Sequence, residues 1–429
     1  MYINHIKLIM TILLNHIISD SMGTEFLSIK DPAEVKKIIE KLPIKKRTEI
    51  IPVKEAYLNL LAEDVYSKIN LPTFNRASMD GYAVIAEDTF KASEENPIKL
   101  RLIGSVKAGS VPEKKLEKGN CIEVATGAPM PPGATGLVMI EFTERIDDKI
   151  YIYKPAPPGQ HIAQEGSDIK KGEIVISKGK LLSSDKIGVL SAIGLEKVKV
   201  YSKPKIAILS TGNELIDPGE KLEYGKIYDI NSETISNSVK SCGCQPIKAG
   251  ITKDNYDDLK NKLKEYLNMD LIITSGGTSA GTGDVLRQVL DDMGKVLVHG
   301  IAVKPGKPSI IGKIGDTIVF GLPGYPVSAF VVFHAFFAPF LRKMAAIPSK
   351  QKNNVLDLKI SRRYHSSKGR EQYVLVEIED DQAHPIMKDS GAIKALADAD
   401  GYFKISKNVE IIDKGSIIQV KTFNSFWLI

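Results

Sequence analysis

The stretch Leu271-Ile-Ile-Thr-Ser-Gly-Gly-Thr-Ser-Ala-Gly-Thr-Gly-Asp284 is the part of the chain from which the rest can be interpreted. Its apolar and β-branched beginning predicts a short buried strand, and the four glycines that follow predict a tight loop. Apolar residues at helical spacing, from Val285 to Leu290, predict a helix that begins at Asp284. Such a loop lets backbone N–H groups approach a phosphate at a helix N-terminus. The stretch therefore predicts an anion site, with a turn that is glycine-rich only for steric reasons as the alternative.

The composition is that of an ordinary globular protein. The chain has 429 residues, of which 43% are hydrophobic and 26% charged, so about three domains are expected. Its net charge of +6 comes from 58 basic and 52 acidic residues spread along the whole length. Since there is one Trp and no alternation of basic and aromatic residues, nucleic acid is not an expected partner. A mildly basic surface does suit small anionic substrates.

The cysteines and the N-terminus bear on where the protein works. Cys121, Cys242 and Cys244 are odd in number and contain no C-x-x-C pair, so neither a disulfide framework nor a structural zinc site is expected. A reducing, cytoplasmic location follows. Residues 6–18 are apolar but are interrupted by polar residues, are too short to span a bilayer, and precede no signal-peptide cleavage site. Residues 1–23 are therefore interpreted as a disordered extension, and no membrane association is expected.

The first half of the chain predicts a β module inserted into a linking region. Helices are predicted after Asp31, over residues 52–62 and over residues 183–194. Short strands bounded by turns are predicted at residues 98–106, 119–124, 136–141 and 149–153. These patterns assign residues 71–152 to a small all-β module. The linking domain takes residues 24–70 and 153–200.

From residue 201 to residue 346, strands and helices alternate. Strands are predicted at 206–209, 245–251 and 271–274, and helices at 232–242, 254–267 and 327–344. This alternation predicts a doubly wound α/β domain, whose ligands bind at the carboxyl ends of the strands. Residues 347–429 return to a β pattern and are predicted to form a C-terminal β-barrel or sandwich. The predicted fold class is thus an α/β and β multidomain protein.

Seven motifs occur in a fixed order along the chain. They are Phe74-Asn-Arg-Ala-Ser-Met-Asp-Gly-Tyr-Ala83, Ala125-Thr-Gly-Ala-Pro129, Leu209-Ser-Thr-Gly-Asn-Glu-Leu215, Tyr228-Asp-Ile-Asn231, Ser275-Gly-Gly-Thr-Ser-Ala-Gly-Thr-Gly-Asp284, Lys304-Pro-Gly-Lys-Pro308 and Gly321-Leu-Pro-Gly-Tyr-Pro-Val-Ser328. With this ordered set, from about residue 24 to the C-terminus, the chain resembles the molybdopterin molybdenumtransferase family, which also includes the gephyrin E domain.

The resemblance implies an elongated homodimer of four-domain subunits. It also implies a reaction in which adenylylated molybdopterin loses its adenylate by hydrolysis and molybdenum from molybdate is inserted into the dithiolene. The products are molybdenum cofactor and AMP, Mg²⁺ is the helper ion, and tungstate can replace molybdate. Other proteins of molybdenum cofactor biosynthesis are implied as further partners.

Two alternative functions stay open. The first is adenylylation of molybdopterin, because a sister family of adenylyltransferases shares the α/β domain. The β module and the C-terminal module argue against it, since the sister enzymes are essentially the α/β domain alone. The second is a gephyrin-like scaffold or binding protein, which the lack of a second α/β domain and of a long linker disfavours.

Three acids, Glu214, Asp254 and Asp284, follow successive predicted strands or begin the helices after them. Fold topology places them together at one edge of the sheet, where carboxylate oxygens suit an Mg²⁺ ion that bridges phosphates and activates water. The resemblance favours Glu214 and Asp284 as the catalytic pair. The alternative is that Asp254 and Asp284 only cap helices, a role that Glu214 does not have.

The resemblance also implies ligand-binding and catalytic residues outside these acids. The phosphate loop would hold the pyrophosphate through the backbone and hydroxyl groups of Gly276, Gly277, Thr278 and Ser279. Asp80 and Thr126 match catalytic positions of the β module, which in the family reaches the α/β domain of the other subunit. The alternative for Asp80 is a simple turn.

Asp229 and Asn231 are implied to hydrogen-bond the pterin or the nucleotide. The alternative is that Asn231 or Ser232 caps the next helix. Two departures from the family leave the contacts to the oxyanion open. Tyr325 stands where many bacterial relatives have Asn, and Gly300 stands where some have Lys.

Lys304 and Lys307 flank a proline and a glycine, which together favour a sharp, fixed bend. Two fixed cations suit a dianionic oxometalate. By resemblance, Arg370 and Ser390 complete this anion pocket. The alternative is that both lysines lie in solvent, as most lysines do.

Overall fold

The computed structural model describes residues 28–277, 284–347 and 355–423. The extension predicted over residues 1–23 therefore lies outside the described residues, as do Thr278 and Ser279. The backbone divides into two compact units, one of residues 50–200 and one of residues 1–49 with 201–429.

Helix α1 (Pro32–Glu40) and strand β1 (Thr48–Pro52) come first among the described elements. The helix begins where the sequence predicts it. The Asp31 carboxylate accepts a hydrogen bond from the Ala33 amide (2.9 Å), and a proline fixes φ in the first turn. Val35 and Ile39 are buried in the core that α1 shares with the later α/β elements.

The unit of residues 50–200 is mostly β. Its elements are β2 (Val65–Tyr66), β3 (Arg76–Ala77), β4 (Gly81–Val84), β5 (Ile98–Val106), β6 (Asn120–Val124), β7 (Gly136–Met139), β8 (Thr143–Ile146), β9 (Lys149–Ile152), β10 (Ile162–Ala163), β11 (Ile174–Ile176), α2 (Ser184–Ala192) and β12 (Lys197–Tyr201). Strands β4 to β9 form a mixed sheet in the order β7-β4-β6-β5-β9-β8. Tyr82 lies in one hydrophobic core and its neighbour Ala83 in another, so both faces of this sheet are covered.

The prediction of a helix over residues 52–62 is wrong. Only Val53–Glu55 form a 3₁₀ turn, and Leu58 adopts a φ of +58°, which a right-handed helix does not contain. The amide of Leu61 donates instead to the carbonyl of Lys180 (3.0 Å). Backbone pairing with a distant segment has therefore replaced the local helical pattern.

The α/β region follows in the other unit. Its elements are β13 (Lys205–Thr211), β14 (Leu215–Ile216), β15 (Ile227–Tyr228), α3 (Asn231–Ser241), β16 (Gln245–Thr252), α4 (Tyr256–Glu265), β17 (Leu271–Ser275), α5 (Val285–Met293), β18 (Lys295–His299), β19 (Val303–Lys304), β20 (Ile310–Ile314), β21 (Thr317–Leu322), α6 (Pro326–Val332), a π-helical turn (Phe333–Phe337) and α7 (Ala338–Met344). The main sheet has the strand order β16-β13-β17-β21-β20-β18. The first four of these strands are parallel, and β20 runs antiparallel to both of its neighbours.

Helices cover both faces of this sheet. Ile206 and Ile208 of β13 pack with α1, α3 and α6, whereas Ala207 and Leu209 of the same strand pack with α4 and α5. Alternate residues of one strand thus enter different cores, as in a sheet buried on both sides. The doubly wound α/β fold is confirmed.

The helical run Pro326–Met344 is long and apolar enough to cross a membrane, but 78% of its apolar window is buried inside the protein. Its Phe337 ring stacks on Phe320 of β21, with ring centroids 4.0 Å apart. This run is therefore accounted for as the core helix of the α/β region.

The C-terminal region of the same unit is a small barrel. Its elements are β22 (Val355–Ile360), β23 (Tyr364–His365), β24 (Glu371–Glu379), β25 (Gln382–Pro385), α8 (Lys394–Asp398), β26 (Gly401–Ile405), β27 (Ile411–Ile412) and β28 (Ile417–Thr422). Strands are paired in the order β24-β25-β22-β28-β26, and β26 pairs back with β24. The five strands therefore close on themselves, which confirms the barrel and decides against the sandwich.

Candidate active site

Polar groups collect where three parallel strands of the main sheet end. Thr211 ends β13, Ser275 ends β17 and Leu322 ends β21, and the strand register places Ser275 opposite Leu322. The Gly276 amide then donates to the carbonyl of Leu322 (3.2 Å). The phosphate loop thus leaves the sheet at its carboxyl edge, where doubly wound folds bind ligands.

A cavity of about 980 Å³ opens at this edge, and we call it the rim cavity. Among the predicted site residues, those that line it are Glu214, Asp229, Asn231, Asp254, Gly276, Gly277 and Lys307. Its volume lies at the upper end of what small-molecule sites offer. The structure therefore brings the predicted acids Glu214 and Asp254 and one predicted lysine to the described part of the glycine loop.

The loop backbone is packed tightly against the end of β13. Gly276 has a φ of +95°, and a Cβ added there would lie 2.2 Å from the carbonyl oxygen of Thr211. No side chain fits at this position. A Cβ on Gly277 would lie 3.3 Å from Oδ1 of Asp254, so the carboxylate sits directly against the loop. This packing is compatible both with a loop that binds an anion and with a turn that is glycine-rich only for steric reasons.

Unpaired polar atoms distinguish the anion-binding interpretation from the purely steric one. Four residues that line the rim cavity each carry a buried side-chain oxygen with no hydrogen-bond partner among the described residues: Ser210 Oγ, Thr211 Oγ1, Asn231 Oδ1 and Asp254 Oδ1. A buried polar atom without a partner costs about 1–3 kcal/mol of stability. Several of them around one cavity indicate that a polar ligand supplies the missing partners. Ser210 and Thr211 were not among the predicted site residues, although both belong to the Leu209–Leu215 motif.

Asp254 carries the clearest electrostatic signal. Burial raises the pKa of its carboxyl group, and the charges of Glu214 and then Asp284 raise it further. The capping alternative is wrong for this residue, because Asn255 caps helix α4 by accepting from the Asp258 amide (2.9 Å). Asp254 is therefore a carboxylate without a capping role, held close to two other acids.

Asp284 is different, because both of its oxygens are engaged. Its Oδ1 accepts a hydrogen bond from the Arg287 amide (3.2 Å), so that Asp284 caps helix α5. Its Oδ2 lies 2.6 Å from Nε2 of the buried His299. Burial raises the pKa of Asp284, and the hydrogen bond from His299 opposes that rise. Asp284 does not line the rim cavity. Within the described ranges, no group of three or more His, Cys, Asp or Glu side chains is arranged to hold a metal ion.

The contribution of His299 was missed, because its sequence neighbours give it no partner. It ends β18, and only the pairing of the strands brings it to Asp284. It orients the Asp284 carboxylate and shields it from solvent.

Asp229 and Asn231 make different contacts at the start of helix α3. The Asp229 carboxylate accepts from the Ser232 amide in the first turn of α3 (3.1 Å), and neither Asn231 nor Ser232 caps the helix, because both lie inside it and Ile230 is the N-cap residue. The Asn231 amide group donates to Ser275 Oγ (2.6 Å) and to the Gly324 carbonyl (2.8 Å). Asn231 therefore ties α3 to the ends of β17 and β21, with its Oδ1 left unpaired toward the rim cavity.

A second cavity, of about 590 Å³, is lined by the cations predicted to bind an oxyanion, and we call it the lysine pocket. The predicted residues that line it are Lys304, Lys307, Arg370 and Ser390. A further cation, Lys388, lines the same pocket and was not predicted. The structure thus brings together both lysines and the two residues of the C-terminal barrel.

The lysine loop is held in place from two sides. Strand β19 pairs with β24 of the barrel, with Lys304 in register with Gln372. Gly306 has a φ of +106°, and a Cβ added there would lie 2.1 Å from Cγ2 of Val332, so the bend rests directly on helix α6. Lys307 lines both the lysine pocket and the rim cavity.

Asp80 and Thr126 belong to the unit of residues 50–200. The amide and the hydroxyl of Thr126 both donate to Oδ1 of Asp80, at 2.6 and 2.9 Å. These two hydrogen bonds lower the pKa of the exposed Asp80 carboxyl group. The structure therefore brings these two predicted residues together as a charged, hydrogen-bonded pair.

Family models match nearly the whole chain. Residues 30–194 match the MoeA N-terminal region (domain I and II), residues 207–343 match a probable molybdopterin binding domain, and residues 357–423 match the MoeA C-terminal region (domain IV). A putative molybdopterin biosynthesis protein of Methanocaldococcus jannaschii is 36% identical over 397 residues, which cover 90% of this chain and 94% of that protein.

Two further comparisons agree with these matches. The molybdopterin molybdenumtransferase of Haemophilus influenzae is 34% identical over 310 residues, which cover 72% of this chain and 76% of that enzyme. A crystal structure of a molybdopterin biosynthesis MoeA protein from Pyrococcus horikoshii superposes with a TM-score of 0.83 at 38% identity, and the match covers 93% of this chain and 100% of that one.

Proposed function

This chain belongs to the molybdopterin molybdenumtransferase family and is an enzyme that inserts molybdenum into molybdopterin. We propose that each of its two cavities binds one of the two substrates of that reaction. In this proposal the rim cavity holds adenylylated molybdopterin and releases AMP from it. The lysine pocket holds molybdate, or tungstate in its place, beside the dithiolene.

The observation that carries the proposal is the composition of the rim cavity. Three acids (Glu214, Asp229 and Asp254) and a glycine loop line one space, and four of the lining residues carry a buried oxygen without a described partner. The neighbouring pocket supplies cations, and Lys307 lines both. A substrate with a pyrophosphate at one end and a metal-accepting dithiolene at the other matches this arrangement of charges.

We propose that the pyrophosphate lies against Gly276 and Gly277. A glycine-rich loop that leads into a helix N-terminus offers backbone amides to phosphate oxygens, and since the Gly276 amide already donates to the Leu322 carbonyl, the Gly277 amide is the proposed donor. The unpaired Thr211 hydroxyl provides a further donor on the same side of the loop. Thr278 and Ser279 keep the same proposed role as continuation of the loop.

Mg²⁺ is the cofactor that the acids of the rim cavity would fit. Asp254 has an unpaired oxygen close to Glu214, and Mg²⁺ is commonly held by one or two carboxylates together with substrate phosphates. A divalent ion held there supplies neutralisation of phosphate charge and a more acidic water molecule. Asp284 contributes its negative charge nearby, while His299 and the Arg287 amide hold its carboxylate in place.

The oxyanion is proposed to lie between Lys304, Lys307 and Arg370, with the Ser390 hydroxyl as a further donor. Fixed cations on a loop and a barrel strand attract a dianion and orient it by charge-assisted hydrogen bonds. Because Lys307 also faces the rim cavity, it is the residue proposed to lie between the oxyanion and the dithiolene.

We further propose a cytoplasmic homodimer in which Asp80 and Thr126 of one copy complete the rim cavity of the other. The support is the resemblance to the family together with the pairing of these two side chains at an exposed position, where the two hydrogen bonds from Thr126 lower the pKa of the Asp80 carboxyl group. Further proteins of molybdenum cofactor biosynthesis would deliver the substrate and receive the product. Neither nucleic acid nor a membrane is needed by this mechanism.

The test is AMP release from adenylylated molybdopterin by the purified protein with Mg²⁺. The expected result is AMP formation that depends on molybdate and is lost in Glu214→Gln. ATP-driven adenylylation of molybdopterin would indicate the adenylyltransferase alternative instead. Inertness of the substrate together with tight binding of a partner protein would indicate a scaffold.

A further inference from the structure

Tyr325 is the exposed aromatic side chain at the boundary between the two cavities. Its relative exposure is 66%, and it lines both the rim cavity and the lysine pocket. Lys307, Pro308 and Pro323 are shared by both cavities in the same way. A large ring left open to solvent at this position faces any ligand that reaches from one cavity into the other.

The backbone on both sides of this ring is fixed. The Gly324 carbonyl accepts from Asn231 (2.8 Å), and the Tyr325 carbonyl accepts from the Ala329 amide in the first turn of α6 (2.9 Å). The ring passes close to Gly391 of the C-terminal region, where an added Cβ would lie 3.7 Å from Cδ1 of Tyr325. Since tyrosine has only two side-chain torsions, little conformational freedom is lost when such a ring binds a ligand.

The wall around Tyr325 is apolar, in contrast to the glycine loop. Leu222, Ile227 and Ile393 line the same rim cavity and are each 54% exposed. Exposed apolar groups that converge on one cavity mark a ligand-binding surface. The rim cavity thus combines acids and a glycine loop with exposed apolar side chains. That combination suits a molecule that has both a phosphate and a flat heterocycle.

We propose that the Tyr325 ring stacks on a bicyclic heteroaromatic ring of the substrate and so positions the substrate between the phosphate loop and the lysine pocket. The inference rests on the proposed function in one respect, that the phosphate lies at Gly276 and Gly277. Adenine and pterin are both flat bicyclic rings, and either would satisfy the geometry. In this role Tyr325 is a positioning residue, and its ring, not its hydroxyl, does the work.

The experiment measures binding of two probes, AMP and pterin-6-carboxylate, to the full chain by calorimetry. Tyr325→Ala and Tyr325→Asn are compared with the conservative variant Tyr325→Phe. Loss of one stacking contact is expected to weaken binding about tenfold in the first two variants, while Phe stays within about twofold. Quenching of the pterin fluorescence by the protein should fall in parallel if the pterin is the stacked ring.

Molybdate affinity should stay within about twofold in all three variants, because no oxyanion contact is assigned to the ring. Weakening confined to AMP would assign the stacked ring to adenine, and weakening confined to the pterin probe would assign it to pterin. Unchanged affinity of both probes for Tyr325→Ala would overturn the inference. An equal loss in Tyr325→Phe would do so as well.

A second variant, Thr211→Val, separates this inference from the function on which it rests. If Thr211→Val weakens AMP binding and Tyr325→Ala weakens neither probe, only the stacking is wrong. If Thr211→Val leaves AMP binding unchanged, the phosphate does not lie at the loop and the proposed function fails. Failure of the wild-type protein to bind either probe would overturn both.

Discussion

The rim cavity and the lysine pocket meet at Lys307 and Tyr325, yet the balance of their charges differs. Acids outnumber lysines in the rim cavity, whereas basic residues outnumber the one acid, Asp389, in the lysine pocket. In the rim cavity, burial and then the charge of Glu214 raise the pKa of Asp254, and buried oxygens lack partners among the described residues. In the lysine pocket, the cations sit on a loop whose bend is fixed by packing against Val332. The difference is the basis of our proposal that the rim cavity binds a cation with phosphates and the lysine pocket binds an oxyanion.

The largest effect is expected from the acids. Glu214→Gln and Asp254→Asn should each lower AMP release at least about 100-fold, because each removes a carboxylate oxygen from the proposed Mg²⁺ site. Steady-state rates at saturating Mg²⁺ and molybdate are the measurement. Glu223→Gln, an exposed glutamate of the same segment, is the matched control and should keep its rate. Normal turnover in both acid variants would contradict the assignment of the rim cavity.

The two lysines should separate the two cavities. Lys304→Met is expected to weaken molybdate binding about tenfold and to leave AMP binding unchanged, since Lys304 lines only the lysine pocket. Lys307→Met is expected to weaken both, because its side chain lines both cavities. Calorimetric titration with each ligand tests this.

Lys394→Met removes an exposed lysine that is paired with Asp398 outside the pocket, and it serves as the control. If Lys304→Met and Lys307→Met gave the same pattern for both ligands, the division between the cavities would not hold.

A smaller effect is expected at Thr211, whose buried hydroxyl has no hydrogen-bond partner in the described part of the chain. Thr211→Val should weaken AMP binding about fivefold, the value of one hydrogen bond, and leave the free energy of unfolding unchanged or slightly higher. Thr317→Val is the matched control. Its hydroxyl donates to the Leu267 carbonyl (2.6 Å), so the same change there should lower stability by about 1 kcal/mol and leave AMP binding alone. Equal stability losses in both variants would mean that Thr211 already has its partner.

The smallest effect concerns pH. The folded pKa of Asp254 is raised above its ordinary value, so its charge destabilises the ligand-free fold, and stability is lost as pH rises through that pKa. Asp254→Asn should therefore unfold at a higher denaturant concentration than wild type at pH 7 without Mg²⁺. Because solvent screens this partly exposed carboxylate, the gain in the free energy of unfolding should be no more than about 1 kcal/mol. The difference should vanish below pH 3.8, and added Mg²⁺ should stabilise only the wild type.

Asp316 provides the control of opposite sign. A hydrogen bond from Lys45 lowers its pKa, so stability from that pair is present at neutral pH and is lost as pH falls through the lowered pKa. Asp316→Asn should accordingly be no more stable than wild type at pH 7. A destabilised Asp254→Asn protein at pH 7 without Mg²⁺ would show that the carboxylate is already satisfied.

The position of the site followed from the sequence because parallel strands end at one edge. A strand that runs into glycines, acids after neighbouring strands and lysines around a proline and a glycine predicted that Glu214, Asp254 and Lys307 come together there, whereas Asp284 does not line the rim cavity. Local signals also placed α1, where Asp31 and Pro32 act within one turn. Helix caps and strand-to-loop transitions depend on residues that are close together in the sequence, so the sequence pattern predicts them.

Long-range partners could not be predicted in this way. The pairing of His299 with Asp284 depends on how β18 joins the sheet, and the residues next to His299 in the sequence do not indicate this partner. The region of residues 52–62 has a helical composition, but its amides bond to a segment more than 100 residues away in the chain. Closure of the barrel likewise depends on β26 pairing with β24.

The most direct test of the two-cavity account is a crystal of the protein grown with AMP, Mg²⁺ and tungstate, with data collected at the tungsten absorption edge. The account predicts an anomalous peak within hydrogen-bond reach of Lys304 and Lys307, and the AMP phosphate against Gly276 and Gly277. A tungsten peak away from both lysines, or a phosphate bound elsewhere than the glycine loop, would contradict it.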